Sequence, residues 1–104
     1  MNFEEYRINA KKTDGEQTLV YYVLGLAGEV GEVVEDVKKW RYHGHEMSDM
    51  RDELGDVLWY LDRLTEKFGM TLEEIAVRNI EKLHKRYPNG YSDQASRERN
   101  DRVD

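Results

Sequence analysis

Apolar side chains in this chain return at intervals of three and four, and no stretch shows the period-two alternation of a half-buried strand. Leu19, Val23, Leu26, Val30, Val33 and Val37 make one stripe, and Met50, Leu54, Val57, Leu58, Leu61, Leu64 and Phe68 make another. A stripe of this kind covers one side of a helix and is buried by packing on a second element. The expected fold is therefore all-α, a four-helix bundle-like domain. A length of 104 residues suits one core and not two.

Phe3, Tyr6 and Ala10 predict a short first helix that ends at the turn-prone Thr13-Asp14-Gly15. The second helix is expected from about residue 18 to about residue 40, where Tyr42-His43-Gly44-His45 breaks the pattern. Ser48 is a candidate cap for the third, and Gly69 is placed to end it in the left-handed conformation. Thr71-Leu72-Glu73-Glu74 reads as a capping box for the fourth, flanked by the staple pair Met70 and Ile75. Pro88-Asn89-Gly90 closes it. Residues 1–91 then form the helical domain. The polar segment 92–104 offers Val103 as its one aliphatic side chain larger than alanine, and it is expected to be a mobile tail.

The formal charge is −6, which argues against nucleic acid as a partner, since phosphate backbones are bound by basic patches. No apolar run approaches the ~20 residues of a membrane span, and the first residues lack the apolar core of a signal peptide. The lack of cysteine removes thiolate catalysis and Cys-ligated zinc, and it fits a reducing compartment. A cytoplasmic protein without a membrane partner is expected.

Nearly the whole charge imbalance falls between Glu29 and Asp56, where nine acids meet four bases. Glu29 and Glu32 are three apart on helix two; Glu53 and Asp56 are three apart on helix three. Residues at that spacing share a face, and each pair flanks its own apolar stripe. If the stripes pack together, four carboxylates border one seam with no base among them. Like charges so placed repel, more strongly where water is excluded, and a divalent cation removes the penalty. An all-oxygen donor set selects a hard ion, Mg²⁺ or Mn²⁺. Gly25, Gly28 and Gly31 in helix two and Gly55 in helix three each cost roughly 1 kcal/mol against alanine. Small residues there allow close helix approach or leave room for a ligand; the alternative is that helix two begins only after Gly28.

Three blocks carry a resemblance: GLAGEVGE at residues 25–32, DELGDVLWY at 52–60 and NIEKLHKRYP at 79–88. In this order they resemble the MazG-like all-α nucleoside triphosphate pyrophosphohydrolases, whose signature is E-x-x-E, a spacer, then E-x-x-D. Glu29, Glu32, Glu53 and Asp56 fill its four positions. The resemblance spans about residues 1–91 and makes that segment the catalytic domain. It implies Mg²⁺-dependent cleavage of a nucleoside triphosphate between the α and β phosphates, releasing a monophosphate and pyrophosphate. Phosphoryl chemistry needs positioning and charge neutralisation more than a protein nucleophile, which suits metal-binding carboxylates. Glu32 or Glu35 is placed to accept the proton of the attacking water, and Glu53 joins them as a catalytic carboxylate.

The resemblance also matches Asn79 and Lys82 to the family's N-x-x-K, candidates for phosphate contacts, with Lys38, Lys39 and Arg86 behind them. Trp40, on the same edge of helix two as Glu29 and Asp36, and Tyr60, one turn beyond Asp56, are candidates to stack on the base. Their bland alternative is core packing, the role expected of Trp59 and of Tyr21-Tyr22 here or at a subunit contact. His43 and His45 have no third ligand nearby in sequence, so zinc is not expected. Tyr21, Leu24, Val34 and Trp59 fall off the main stripes, so a homodimer or homotetramer is expected. Two alternatives stand beside the leading one. The chain could be a dUTP- or phosphoribosyl-ATP-specific relative, or a non-catalytic helical oligomerisation or nucleotide-binding module.

Overall fold

The computed structural model describes residues 1–102; Val103 and Asp104, the end of the expected tail, lie outside the described residues. Among the described residues there are five helices: α1 (Phe3–Lys11), α2 (Leu19–His43), α3 (Arg51–Lys67), α4 (Leu72–Arg86) and α5 (Asp93–Glu98). No strand occurs among the described residues, only an isolated bridge between Pro88 and Gly90. The protein is all-α, with one helix more than its periodicity predicts.

The chain divides into two compact units, Met1–Thr71 and Leu72–Asp104. In the first, the Asn2 side chain starts α1 by accepting from the Glu5 amide at 2.8 Å. The Thr13 hydroxyl donates to the Ala10 carbonyl at its far end, 2.7 Å away. Helix α2 is continuous through Gly25, Gly28 and Gly31, so it does not begin after Gly28. It also runs past the expected end at residue 40 to His43, because Tyr42 and His43 continue the helix. Gly44, at φ 70°, is the residue that stops it.

Ser48 does not cap α3. The N-cap position is Met50, and the Asp49 carboxylate accepts from the Arg51 amide at 3.0 Å. At the other end the Met70 amide donates to the Thr65 carbonyl at 2.9 Å and Gly69 donates to Glu66 at 3.0 Å. With Gly69 at φ 70° this is the Schellman closure its position predicts.

Helices α2 and α3 run antiparallel, with α1 packed on α3. Two contacts place the start of α2 at the end of α3: Asp14, just ahead of α2, pairs with Arg63, and the Lys67 ammonium lies 5.5 Å from the Tyr22 ring centre; further in, Tyr22 lies near Trp59 at 6.3 Å and Gly25 against Tyr60. The centre of this unit is aromatic and ionic rather than aliphatic. Tyr22 is fully buried, with its hydroxyl bonded to Asp14. Asp62 and Arg63 are 1% and 2% exposed and paired at 2.8 Å. Arg63 also reaches Glu66 at 2.5 Å and Asp14 at 3.4 Å. The Trp59 indole N–H donates to Thr13 at 2.8 Å, tying α1 to α3. The aliphatic faces are left open: Val20, Leu24 and Val34 of α2 are each at least 60% exposed.

In the second unit, α4 packs with α5. Residues 93–98, within the segment expected to be a mobile tail, form a helix because Ser92 caps it, accepting from the Ala95 amide at 3.0 Å. Beyond it the Asp101 carboxylate takes both Nε and Nη2 of Arg86, at 2.8 and 2.9 Å. Hydrophobicity alone gave no account of this segment; a cap and a bidentate ion pair order it.

Candidate active site

Glu29 and Glu32 lie mid-way along α2, and Glu53 and Asp56 in the first half of α3. The Gly25–Tyr60 contact sets their register. Helix α2 advances one turn from Gly25 to Glu29, while α3 retreats one turn from Tyr60 to Asp56. In an antiparallel pair those steps run in the same direction, so Glu29 and Asp56 lie about one turn from that contact on the same side, with Glu32 and Glu53 about a further turn on. The Tyr60 hydroxyl responds to this placement. A hydrogen bond with Tyr21 holds its pKa above the usual phenol range, helped by burial and by the charges of Glu29 and Asp56. Both carboxylates therefore lie within electrostatic reach of one ring.

Glu29 and Glu53 are half-buried, whereas Glu32 and Asp56 are exposed. Glu53 Oε2 is buried without a hydrogen-bond partner. An orphaned carboxylate oxygen is costly unless a cation or donor meets it. With an all-oxygen set along the seam, these residues fit a hard divalent ion. Among the described residues no three acidic or histidine side chains converge closely enough to grip a metal as they stand, so such an ion would have to draw the carboxylates together.

The other candidates divide by unit. Glu35 is exposed on α2 one turn past Glu32, and Lys38 is exposed beyond it. The Trp40 ring, in the last turns of α2, is 48% exposed. Tyr60 is differently placed: Gly25 covers its ring, Tyr21 lies 6.2 Å away, and Trp59 meets it edge-on at 5.0 Å. Asn79 and Lys82 share a face of α4 in the second unit, Asn79 exposed and Lys82 half-buried. Arg86, at the end of the same helix, has its Nε edge occupied by Asp101 and its guanidinium 5.8 Å from the Tyr87 ring centre. His43 and His45 are exposed.

The ionic cluster of Asp14, Asp62, Arg63 and Glu66 escaped sequence reasoning, because charged residues carry no hydropathic signal of burial. Asp62 and Arg63 do lie on the α1-facing side of α3, which the helical period could have shown. The cluster borders a cleft of about 380 Å³ lined by Lys11, Asp14, Glu16, Arg63, Glu66 and Lys67, and a separate apolar cavity of about 360 Å³ is lined by Phe3, Tyr6 and Leu58, among others. Leu58 sits roughly half a turn around α3 from Asp56, while Tyr6 of the same lining lies within electrostatic reach of Asp56.

No membrane-crossing helix is present among the described residues; none is long and apolar enough. No solved structure matches the chain. The Gene 37 protein of Mycobacterium phage L5, whose name states no activity, is 31% identical over 105 residues, spanning 86% of this chain and 92% of its own. Residues 17–91, which hold both acidic pairs together with Asn79 and Lys82, match the MazG nucleotide pyrophosphohydrolase domain. A match over most of the chain, on the segment that builds the seam, makes this protein a member of the MazG nucleotide pyrophosphohydrolase family.

Proposed function

We propose that the protein hydrolyses nucleoside or deoxynucleoside triphosphates between the α and β phosphates, with Mg²⁺ as cofactor and Mn²⁺ as a substitute. The observation that carries this is the partnerless Glu53 Oε2, set on the seam that Glu29 and Asp56 border. Glu29, Glu32, Glu53 and Asp56 would hold the ion. When bound, it supplies positive charge to the phosphates and makes water more acidic.

The chain's own residues do the rest. Glu32 or Glu35 accepts the proton as water adds to the α-phosphorus. The α–β bridging bond breaks, and the pair of electrons leaves with pyrophosphate. Asn79 and Lys82 are the candidates for phosphate contacts, with Lys38 and Arg86 as further cations. The exposed ring of Trp40 is the better platform for the base, since Tyr60 is spent on the helix seam. The open apolar face of α2 at Val20, Leu24 and Val34 supports assembly as a homodimer or homotetramer. A cytoplasmic role in clearing unwanted nucleotides belongs to the same proposal.

Incubation with a panel of triphosphates and Mg²⁺, followed by product analysis, tests it. Monophosphate with pyrophosphate is the expected outcome. Diphosphate with orthophosphate would overturn the cleavage position, and no turnover of any nucleotide would favour a non-catalytic binding module.

A further inference from the structure

The four helical glycines are not equivalent. A β-carbon added at Gly28, Gly31 or Gly55 would meet nothing within 4 Å. At Gly25 it would lie 2.1 Å from Cε1, 2.5 Å from Cζ and 2.6 Å from Cδ1 of Tyr60. The ring thus occupies the volume that any other residue at position 25 would need. Nor can it step aside freely. Tyr21 lies against it at 6.2 Å, Trp59 meets it at 5.0 Å, and Trp59 is itself pinned to Thr13 by a 2.8 Å hydrogen bond.

We propose that Gly25 is a positioning residue: by admitting the Tyr60 ring against the α2 backbone, it sets the separation at which Glu29 and Asp56 face each other across the seam. The inference rests on the reading that these carboxylates hold the divalent ion. Glu29 and Asp56 are each one turn from this contact, so a change in helix spacing there reaches them almost undiminished. A hard cation such as Mg²⁺ demands near-ideal placement of its oxygens, so a shift in helix spacing is felt directly in its binding. The raised pKa of the Tyr60 hydroxyl, to which both carboxylates contribute, is consistent with their closeness to the contact.

Binding of Mn²⁺ to the nucleotide-free protein, followed by the paramagnetic resonance of the free ion, tests this in wild type, Gly25→Ala, Tyr60→Ala and the double variant. Circular dichroism on each sample reports helix content. Gly25→Ala should weaken Mn²⁺ binding by about tenfold or more, while in the Tyr60→Ala background the same change should alter it by less than about twofold. Equal loss in both backgrounds, or no loss in either, overturns the proposal. Should Gly25→Ala fail to fold, the double variant must recover the helicity and affinity of Tyr60→Ala; a double variant that stays unfolded also overturns it. Failure of the underlying reading is visible separately, as a wild-type protein that binds no Mn²⁺.

Discussion

Glu53 differs from the other three seam carboxylates in having an oxygen that neither solvent nor protein satisfies. Glu53→Gln keeps the volume and removes the charge. Loss of an outer-sphere partner of a metal site already costs about 10–100-fold, so if Glu53 is a direct ligand, as proposed, the variant should lower pyrophosphate release by at least about 100-fold. Helical circular dichroism should be unchanged, and an active variant would remove Glu53 from the site. A second consequence at this scale is acid sensitivity. Burial opposes ionisation of Asp14, but hydrogen bonds from Tyr22, the Glu16 amide and Arg63 outweigh it and leave its pKa below the ordinary value. Glu66 is likewise depressed: burial pushes it up, and Lys11 and Arg63 more than offset that. A carboxylate whose folded pKa is lowered contributes stability above its unfolded pKa and loses it as pH falls through the folded one. The melting temperature should therefore drop as pH is lowered from about 5 to about 3, and Asp14→Asn should flatten that slope. An equally steep slope in the variant would show that Asp14 is not responsible.

At the scale of elements, helix ends separate what the sequence disclosed from what it did not. Gly69 announced its closure, because a left-handed residue with two carbonyls to satisfy is a local matter. Gly69→Ala, at φ 70°, should cost about 1 kcal/mol in urea denaturation. The start of α3 was misplaced since Ser48 and Asp49 are both capable acceptors, and only the path of the loop decides between them. Helix α5 was missed for a different reason: a six-residue helix buries too little to leave a hydropathic trace, and its anchor joins residues fifteen apart. Spacing puts each acidic pair on one face of its helix, and it carries no register between the two helices. That register depends on Gly25 meeting Tyr60, a steric fact between helices that no periodicity records. Tyr60 shows the same limit, since a turn beyond Asp56 can mean base platform or seam filler until the opposite helix is known.

For the whole molecule, the open aliphatic faces and the acidic seam bear on stability together. A ligand that binds only the folded state stabilises it by RT ln(1 + [L]/Kd). Millimolar Mg²⁺ should thus raise the melting temperature of wild type and leave Glu53→Gln unmoved; an equal rise in both would place the ion elsewhere. Sedimentation should show dimers or tetramers that dissociate on dilution with loss of stability, because Val20, Leu24 and Val34 otherwise face water. Arg63 and Arg86, one in each unit, share a dependence of another sort. Part of the counter-charge for the first comes from Asp14, ahead of α2, and that for the second from Asp101, after α4. The short flanks on either side of the long helices are therefore electrostatic keystones. Trimming them to reach a tidier domain would strip Arg86 of Asp101 and leave Arg63 to Asp62 and Glu66 alone, and proteolytic nicking at either margin should loosen helices to which the severed peptide was never adjacent in sequence.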